Sequence, residues 1–265
     1  MPENPIIDWK KDSQSFDTVA DLYHHYRPGY PQELIDCIIE LTGLPPAGKI
    51  LEIGSGTGKA TLLFAQRGYS ILCVEPGENL AAVAARNLGT FPGVQFEISR
   101  FEDWQENPDG FDLVLSAQAF HWVPKEVGYV KAARALKPHG HLALFWNMYP
   151  GFKGQIAADL DRVYQEIAPG LGSPFNATDE VVQQFVHEID ESGCFGPVTV
   201  RQFPWSMRYS TKQYRGLLNT YSDHLRLPKQ TRERLFSSIG DVIEKHGGSV
   251  VRPYIAVLYI AEKVS

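Results

Sequence analysis

The sequence predicts an α/β fold in which helices cover both faces of a doubly wound, mostly parallel sheet. Short apolar segments alternate with single helical segments through residues 49–146, a rhythm typical of parallel strands joined by helical crossovers. The first strand is followed at once by a glycine-rich turn, which commonly connects a strand to a helix. A chain of 265 residues with 43% hydrophobic content is long enough for one domain with insertions.

Seven strands are expected. They cover residues 49–53, 70–74, 94–98, 111–115, 141–146, 198–203 and 250–261. The helices predicted between them cover residues 59–66, 79–88, 125–136, 156–167, 179–191, 211–219 and 229–245. A turn is expected at Pro138-His139-Gly140, because proline and glycine interrupt regular structure there.

The two ends of this pattern are mainly helical. Residues 1–43 predict two helical segments, which the run Pro28-Gly29-Tyr30-Pro31 separates. We expect them to form a lid over the carboxyl edge of the sheet, together with helical residues at about 206–247. The whole chain is predicted to be a single domain, with a core at about 44–150 and a C-terminal part, 151–265, that completes the sheet.

Composition narrows the possible partners and locations. The chain has 25 basic and 31 acidic residues, a net charge of −6, and no run of Lys and Arg, so we expect no nucleic-acid partner. The three cysteines lie far apart, which predicts neither a disulfide framework nor a metal site and fits a cytoplasmic protein. Without a basic, apolar N-terminal segment or an apolar stretch of about 18 residues, no membrane partner is expected.

The strongest motif is the turn Glu52-Ile53-Gly54-Ser55-Gly56-Thr57-Gly58. Glycine accepts unusual backbone angles and has no Cβ, so such a turn can present backbone N–H groups to a ligand. The nicotinamide fingerprint requires a small residue where Lys59 stands. A phosphate-binding P-loop requires glycine where Ile53 stands and a hydroxyl where Ala60 stands.

The remaining pattern, an acidic residue followed by alternating glycines, resembles the class I S-adenosylmethionine-dependent methyltransferase family. The resemblance covers residues 23–146 and implies a Rossmann-like, seven-stranded sheet with S-adenosyl-L-methionine as cofactor. In that family the turn wraps the methionine and ribose parts of the cofactor, which implies contacts from Glu52, Gly54, Ser55, Gly56 and Gly58. An ordinary strand-to-helix turn is the alternative interpretation.

Two neighbouring segments support the cofactor interpretation. Glu75 ends the second strand before Pro76, 21 residues after Gly54 (75 − 54), where a carboxylate can accept hydrogen bonds from both ribose hydroxyls. The segment Ser99-Arg100-Phe101-Glu102-Asp103-Trp104 resembles the adenine-recognition loop of the family, with Arg100 and Phe101 as candidate contacts. A solvated acidic loop with Phe101 in the core is the alternative.

Further candidates flank the cofactor motifs. The segment Ser116-Ala117-Gln118-Ala119-Phe120-His121-Trp122 resembles the wall between cofactor and acceptor in small-molecule members of the family, so Ala117 and Gln118 are predicted cofactor contacts. His121 is a candidate general base or a structural histidine. Arg27 is predicted to pair with the methionine carboxylate, or else to lie on the surface at a helix end.

The acceptor is less well specified. Methyl transfer mainly requires that two substrates be positioned and water excluded, so no metal is expected. Tyr26, Trp122 and Trp146 are predicted as wall residues or else as core positions. Lid contacts are predicted at Trp205, Tyr214, Tyr221, His224 and Arg226. The layout also resembles trans-aconitate methyltransferase-like members. It implies O-methylation of a carboxylate or hydroxyl of a small molecule by a monomer or homodimer.

Two other functions remain open at this point. One is a non-catalytic protein that binds S-adenosylmethionine, since methyl transfer requires no obligatory catalytic residue. The other is an NAD-dependent oxidoreductase, although Lys59 counts against it.

Overall fold

The computed structural model of the protein describes residues 16–105, 110–171 and 179–264. Within these ranges seven strands form one sheet. In chain order they are β1 (Lys49–Ile53), β2 (Ser70–Glu75), β3 (Val94–Ile98), β4 (Phe111–Ala117), β5 (Leu136–Met148), β6 (Thr199–Ser210) and β7 (Ser249–Glu262). The order across the sheet is β3-β2-β1-β4-β5-β7-β6. Strands β1 to β5 are parallel and β7 is antiparallel to β5 and β6, so the predicted α/β fold is confirmed.

Helices cover both faces of this sheet. Those in the described ranges are α1 (Ala20–Tyr26), α2 (Gln32–Thr42), α3 (Lys59–Ala65), α4 (Glu78–Leu88), α5 (Lys125–Ala135), α6 (Gln155–Ile167), α7 (Asp179–Glu191), α8 (Thr211–Leu218), α9 (Ser222–Leu225) and α10 (Lys229–Lys245). Helices α2, α3 and α4 bury their apolar sides against one face, and α5 and α7 do so against the other. This arrangement leaves the carboxyl edge of the parallel strands accessible for a site.

A separate apolar cluster joins the remaining helices. We call α6, α8, α9 and α10 the lid. Leu160 of α6, Leu217 of α8 and Ile239 of α10 are buried together with Tyr209 and Tyr254 from the ends of β6 and β7. The lid therefore has its own core, which is built partly on the two antiparallel strands.

The last two strands extend beyond the sheet to carry the lid. β7 pairs with β5 only from Ile255 onward, whereas residues 249–254 pair with residues 205–210 of β6 alone. This two-stranded ribbon continues past the end of β5, and the chain between its strands forms α8, α9 and α10. Side chains on the ribbon therefore lie at the carboxyl edge of the parallel strands.

Two sequence predictions of local structure were wrong. The helical lid was expected to begin at about residue 206, but residues 206–210 continue β6 because they pair with β7. The helix begins at Thr211, where the Ser210 hydroxyl accepts a hydrogen bond from the Gln213 amide and the Gln213 side chain accepts one from the Ser210 amide. The second wrong prediction is the turn at Pro138-His139-Gly140. These residues lie inside β5, where the pairing with β4 is irregular.

Most other predicted elements agree with the structure to within two residues, but β5 begins at residue 136 and not 141, β6 ends at 210 and not 203, and the short helix α9 was not predicted. The two N-terminal helices lie on either side of the proline-containing break, although residues 1–15 of that region lie outside the described ranges. No helix in the described part of the chain is both long and apolar enough to cross a bilayer. The same residues contain no cluster of His, Cys, Asp and Glu suited to a metal ion.

Candidate functional site

A cavity of about 1650 Å³ lies at the carboxyl edge of the sheet. Gly54, Gly56 and Glu75 line it at the sheet, and Tyr164 and Tyr214 line it at the lid. A small recess of about 40 Å³ adjoins it behind the glycine turn. The volume is large enough for two ligands of moderate size, since single-ligand pockets are typically about 300–1,000 Å³.

The three glycines of the turn have left-handed backbone angles, with φ of +68° at Gly54, +55° at Gly56 and +79° at Gly58. A Cβ on Gly54 would lie 2.4 Å from the Cβ of Ala119, so no larger residue fits there. A Cβ on Gly56 would meet no atom within 4 Å, because it would project into open space. Gly58 does not line the cavity, and its missing Cβ makes room for Leu88.

Glu75 connects the end of β2 to this turn. Its Oε2 accepts a hydrogen bond from the backbone N–H of Gly56 at 2.8 Å, and its Oε1 accepts one from Gly77 at 2.9 Å. Burial raises the pKa of Glu75 to about 7, although the two amide donors oppose the shift. A carboxylate that lines the cavity and is already held by two amides can accept further hydrogen bonds from hydroxyl groups.

Glu52 is the acidic residue of the small recess. Its Oε2 accepts a hydrogen bond from Thr61 at 2.7 Å, whereas Oε1 is buried without a partner. Burial raises the pKa of Glu52 to about 8. The hydroxyls of Ser55 and Thr57 are also buried without partners among the described residues, and burial lowers the pKa of the neighbouring Lys59 to about 8. The recess therefore contains polar groups that a polar ligand would satisfy.

The loop after β3 forms another wall of the cavity. Phe101 is only 4% exposed and stacks on Trp104, with 5.9 Å between ring centroids, yet it also lines the cavity. Arg100 forms an ion pair with Glu102 at 3.4 Å, and both line the cavity next to Pro76. Phe101 is therefore compatible with both interpretations, a cofactor contact and a core residue, since one face of its ring packs in the core and the residue also lines the cavity.

Gln118 has a strained backbone at the end of β4. Its φ is +63°, a region that non-glycine residues rarely adopt and that is concentrated at functional sites. The side-chain Oε1 accepts a hydrogen bond from the backbone N–H of Asn147 at 2.6 Å. Asn147 also donates to the Gly29 carbonyl at 2.9 Å and accepts from Trp205 Nε1 at 3.0 Å. Gln118 and its neighbour Ala117 line both the cavity and the recess.

Arg27 connects the N-terminal helix to the lid. Its Nε donates to the Thr220 hydroxyl at 2.8 Å and its Nη2 to the Thr220 carbonyl at 2.7 Å. The guanidinium group also lies 4.2 Å from the centroid of the Tyr221 ring and 5.1 Å from that of Tyr23. Arg27 is therefore not a free surface residue, and it faces the cavity and the recess from the lid side.

His121 lies on the cavity wall in a short helical turn, Phe120–Trp122. The indole Nε1 of Trp146 donates a hydrogen bond to His121 Nδ1 at 3.2 Å. Since an indole N–H can only donate, the neutral imidazole carries its proton on Nε2. Burial lowers the pKa of His121 to about 3. This arrangement does not suit a general base, because the Nδ1 lone pair is engaged and the ring resists protonation.

The predicted acceptor residues separate into two groups. Trp122, Tyr214, Tyr221, His224 and Arg226 line the cavity. Trp146 does not: it is 0% exposed and stacks on Phe185 in the core, with 4.0 Å between centroids. Tyr26 packs against Gly216 of α8, and Trp205 stacks on Tyr254 of the ribbon. Neither the wall roles of Trp146 and Tyr26 nor the lid contact of Trp205 is therefore met, since packing uses these rings.

Several cavity residues were not anticipated from the sequence. They are Phe16, Tyr149, Tyr164 and Arg252 in the cavity and Thr57 and Lys59 in the recess. A signal existed for Arg252, because it occupies an inward position in the alternating pattern of β7, where an apolar residue is expected. No sequence pattern indicated the tyrosines, which come from separate elements.

The comparisons with known proteins agree with this geometry. Residues 50–140 match the family described as a methyltransferase domain. The chain is 25% identical to an uncharacterised methyltransferase of Schizosaccharomyces pombe, over 93% of this chain and 95% of that one. These matches and the seven-stranded fold support a class I S-adenosylmethionine-dependent methyltransferase.

Two further similarities are to a named enzyme, over part of this methyltransferase, and to a solved structure, over most of it. A trans-aconitate 2-methyltransferase of Variovorax paradoxus is 30% identical over 102 residues, which make up 38% of this chain and 39% of that one. The solved structure of a type II methyltransferase from Anaeromyxobacter dehalogenans superposes with a TM-score of 0.64 and 22% identity, over 90% of this chain and 97% of that one. At that identity the superposition supports the fold.

Proposed function

We propose that this methyltransferase transfers a methyl group from S-adenosylmethionine to an oxygen atom of a small molecule bound under the lid. The observation that carries the proposal is the continuity of the cavity, which extends from the glycine turn and Glu75 to the lid residues Tyr164, Tyr214 and Tyr221. Both substrates of a transfer reaction must be bound side by side, and one continuous cavity allows this.

The residues around the turn fit the cofactor. The missing Cβ of Gly56 leaves open space beside the carboxylate of Glu75, which suits a ribose. The orphaned oxygen of Glu52 and the unpartnered hydroxyls of Ser55 and Thr57 suit a polar amino-acid group in the recess. Arg27 borders the recess and suits the carboxylate of that group, and Arg100, Phe101 and Pro76 suit the adenine.

When bound, the cofactor supplies an electrophilic methyl group on a sulfonium. The chain's own contribution is to position the two substrates and exclude water, through Ala117 and Gln118 on one side and the lid on the other. His121 lies on the cavity wall, where its Nδ1 is held by Trp146. Trp122 forms an aromatic wall beside it.

The environment of His121 favours an acceptor atom that needs no base at that position. A carboxylate oxygen is already ionised near neutral pH and needs no proton removal. A hydroxyl acceptor requires a base, which the arrangement of His121 does not provide. The similarity to a trans-aconitate 2-methyltransferase, which covers 38% of this chain, supports a carboxylate acceptor over a hydroxyl one.

A methyl-transfer assay tests this function. The full chain is incubated with S-adenosylmethionine carrying a labelled methyl group and with panels of small carboxylic acids and of small alcohols and phenols. We expect labelled methyl ester from at least one carboxylic acid and none without protein. Labelled ether from the hydroxyl panel would contradict the carboxylate assignment. Cofactor binding without transfer to either panel would favour a non-catalytic binding protein instead.

A further inference from the structure

Arg252 is a buried cation on the ribbon that carries the lid. It lies in β7 at a position that alternates with the exposed Val251, and it is only 7% exposed. Its side chain lines the cavity. An inward position on an alternating strand normally holds an apolar residue, so an arginine there requires a specific explanation.

Tyrosine rings surround the guanidinium group. It lies 3.7 Å from the centroid of the Tyr149 ring, 5.5 Å from Tyr254, 5.8 Å from Tyr214 and 5.9 Å from Tyr221. Its Nη1 donates a hydrogen bond to the Tyr214 hydroxyl at 2.8 Å, whereas its buried Nε has no partner. No carboxylate of the described residues forms an ion pair with it.

This environment leaves the charge without a counterion. Arginine stays protonated when buried, and buried charges are normally paired with an opposite charge. Aromatic faces stabilise a cation, but they provide no acceptor for an unpartnered N–H. The Tyr214 hydroxyl accepts from Arg252, so its own hydrogen is available to donate to a ligand. The cluster therefore offers a positive charge and hydroxyl donors to the cavity.

The cluster also lies close to the proposed cofactor end. The Tyr221 ring is within 5.9 Å of the Arg252 guanidinium and within 4.2 Å of the Arg27 guanidinium, which borders the recess. The same aromatic ring is thus near both cations. A small ligand held at Arg252 would extend towards the space beside the glycine turn.

We propose that Arg252, with Tyr214, binds a carboxylate of the methyl acceptor and determines its specificity. The inference rests on the proposed function and deepens it. A carboxylate held by a guanidinium is a weak nucleophile, because its lone pairs are engaged by donors. The acceptor class is therefore a small acid with two functional groups, in which one carboxylate is bound at Arg252 and a second oxygen receives the methyl group.

Binding measurements on the full chain test the role of Arg252. Glutarate and benzoate are titrated with and without S-adenosylhomocysteine, and glutaramide and benzamide serve as uncharged counterparts. We expect Arg252→Gln to weaken carboxylate binding at least about tenfold without changing amide binding. The matched control is Arg208→Gln, an exposed arginine on the same ribbon that does not line the cavity, which should change carboxylate affinity by less than about twofold. Inorganic sulfate, a tetrahedral anion, should bind more weakly than the carboxylates.

The outcomes separate this inference from the proposed function. If Arg252→Gln binds carboxylates as the wild type does, or if the wild type binds none at about 10 mM, the inference is wrong. If sulfate binds better than the carboxylates, the assignment to carboxylate is wrong. If the wild type fails to bind S-adenosylhomocysteine, the proposed function fails, while the carboxylate titration without it still tests Arg252. If Arg252→Gln does not fold, Arg252→Lys is used instead, because lysine keeps the charge but lacks the planar fork of the guanidinium group. A carboxylate affinity of Arg252→Lys equal to that of the wild type would then contradict the inference.

Discussion

The Glu75 carboxylate accepts a hydrogen bond from the backbone N–H of Gly56 at 2.8 Å. This bond connects the carboxyl end of β2 to the glycine turn after β1, so the two elements that border the cofactor end of the cavity are held in one arrangement. The positive φ of Gly56 allows its amide to point at the carboxylate, and the missing Cβ leaves space above it. The first prediction concerns this pair.

Gly56→Ala is expected to weaken S-adenosylhomocysteine binding by about tenfold or more, because the added Cβ projects into the space proposed for the cofactor. Left-handed backbone at alanine also costs about 1–2 kcal/mol of stability. Gly43→Ala is the matched control, since Gly43 has φ of +57° and an equally open Cβ position at the end of α2. Calorimetry and urea unfolding should show similar destabilisation in both variants but weaker binding only in Gly56→Ala. Equal affinities in the two variants would contradict the placement of the cofactor.

The contact between Gly216 and Tyr26 holds the N-terminal helix against the lid. A Cβ on Gly216 would lie 2.4 Å from the Tyr26 ring, so Gly216→Ala should destabilise the protein by about 1–3 kcal/mol. In a Tyr26→Ala background the same change should be neutral or stabilising by up to about 1 kcal/mol, because alanine is the better helix former. A double-mutant cycle in urea measures the difference. Additive effects would show that this contact does not connect the two helices.

The buried Glu52 predicts a dependence of stability on pH. Its pKa is raised from an ordinary value of 4.5 to about 8, so between these values the folded protein keeps a proton that the unfolded chain loses. The stability contributed by this group is complete below pH 4.5 and is lost as the pH rises through 8. Glu52→Gln removes the titration. As the pH rises from 5 to 9, the free energy of unfolding of the wild type, measured with urea, should fall relative to that of the variant by on the order of 3 kcal/mol. A constant difference across that range would contradict the raised pKa.

The same carboxyl group should couple cofactor binding to proton release. An ammonium group placed beside Glu52 favours the ionised form, so binding of S-adenosylhomocysteine at pH 7 should release a proton from this site. Calorimetry in two buffers of different ionisation enthalpy measures the release, which Glu52→Gln should abolish. Identical proton release by wild type and variant would exclude Glu52 as its source.

The hydrogen bond from Trp146 to His121 predicts a small effect of substitution at His121. Removal of a general base typically slows catalysis by about 10²–10⁴-fold. Because the His121 Nδ1 is engaged and burial lowers its pKa to about 3, we expect His121→Gln to retain methyl transfer within about tenfold of wild type. The measurement is kcat with the acid found in the acceptor panel. The base assignment would be restored by two results together: a thousandfold loss of kcat in His121→Gln and a pKa near 6.5 in the pH profile of the wild type.

The fold was predictable because its signals are local. Each parallel strand is a short apolar run followed by a helical segment, and the glycine turn identifies the first crossover. The spacing of Glu75 from Gly54 predicted a carboxylate near the glycine turn, and in the structure that carboxylate accepts a hydrogen bond from the amide of Gly56. The helical lid was placed a few residues too early, since the pairing of residues 206–210 with β7 involves residues distant in sequence.

The acceptor side was harder to predict because its residues come together only in the folded chain. Trp146 was expected on a wall, but Phe185 of α7 covers it. The tyrosines around Arg252 come from the residue after β5, from α8, from the loop after α8 and from β7 itself, so no spacing in the sequence connects them. Tertiary packing decides which aromatic residues face a cavity and which fill the core.

Calorimetric titration of the purified chain with S-adenosylhomocysteine, and in parallel with NAD and ATP, tests the central claim most directly. We expect saturable binding of S-adenosylhomocysteine alone, with a Kd of about 1–100 μM. Gly54→Ala should lose this binding, because its Cβ would lie 2.4 Å from that of Ala119. Absence of binding by the wild type, or a preference for NAD, would contradict the account.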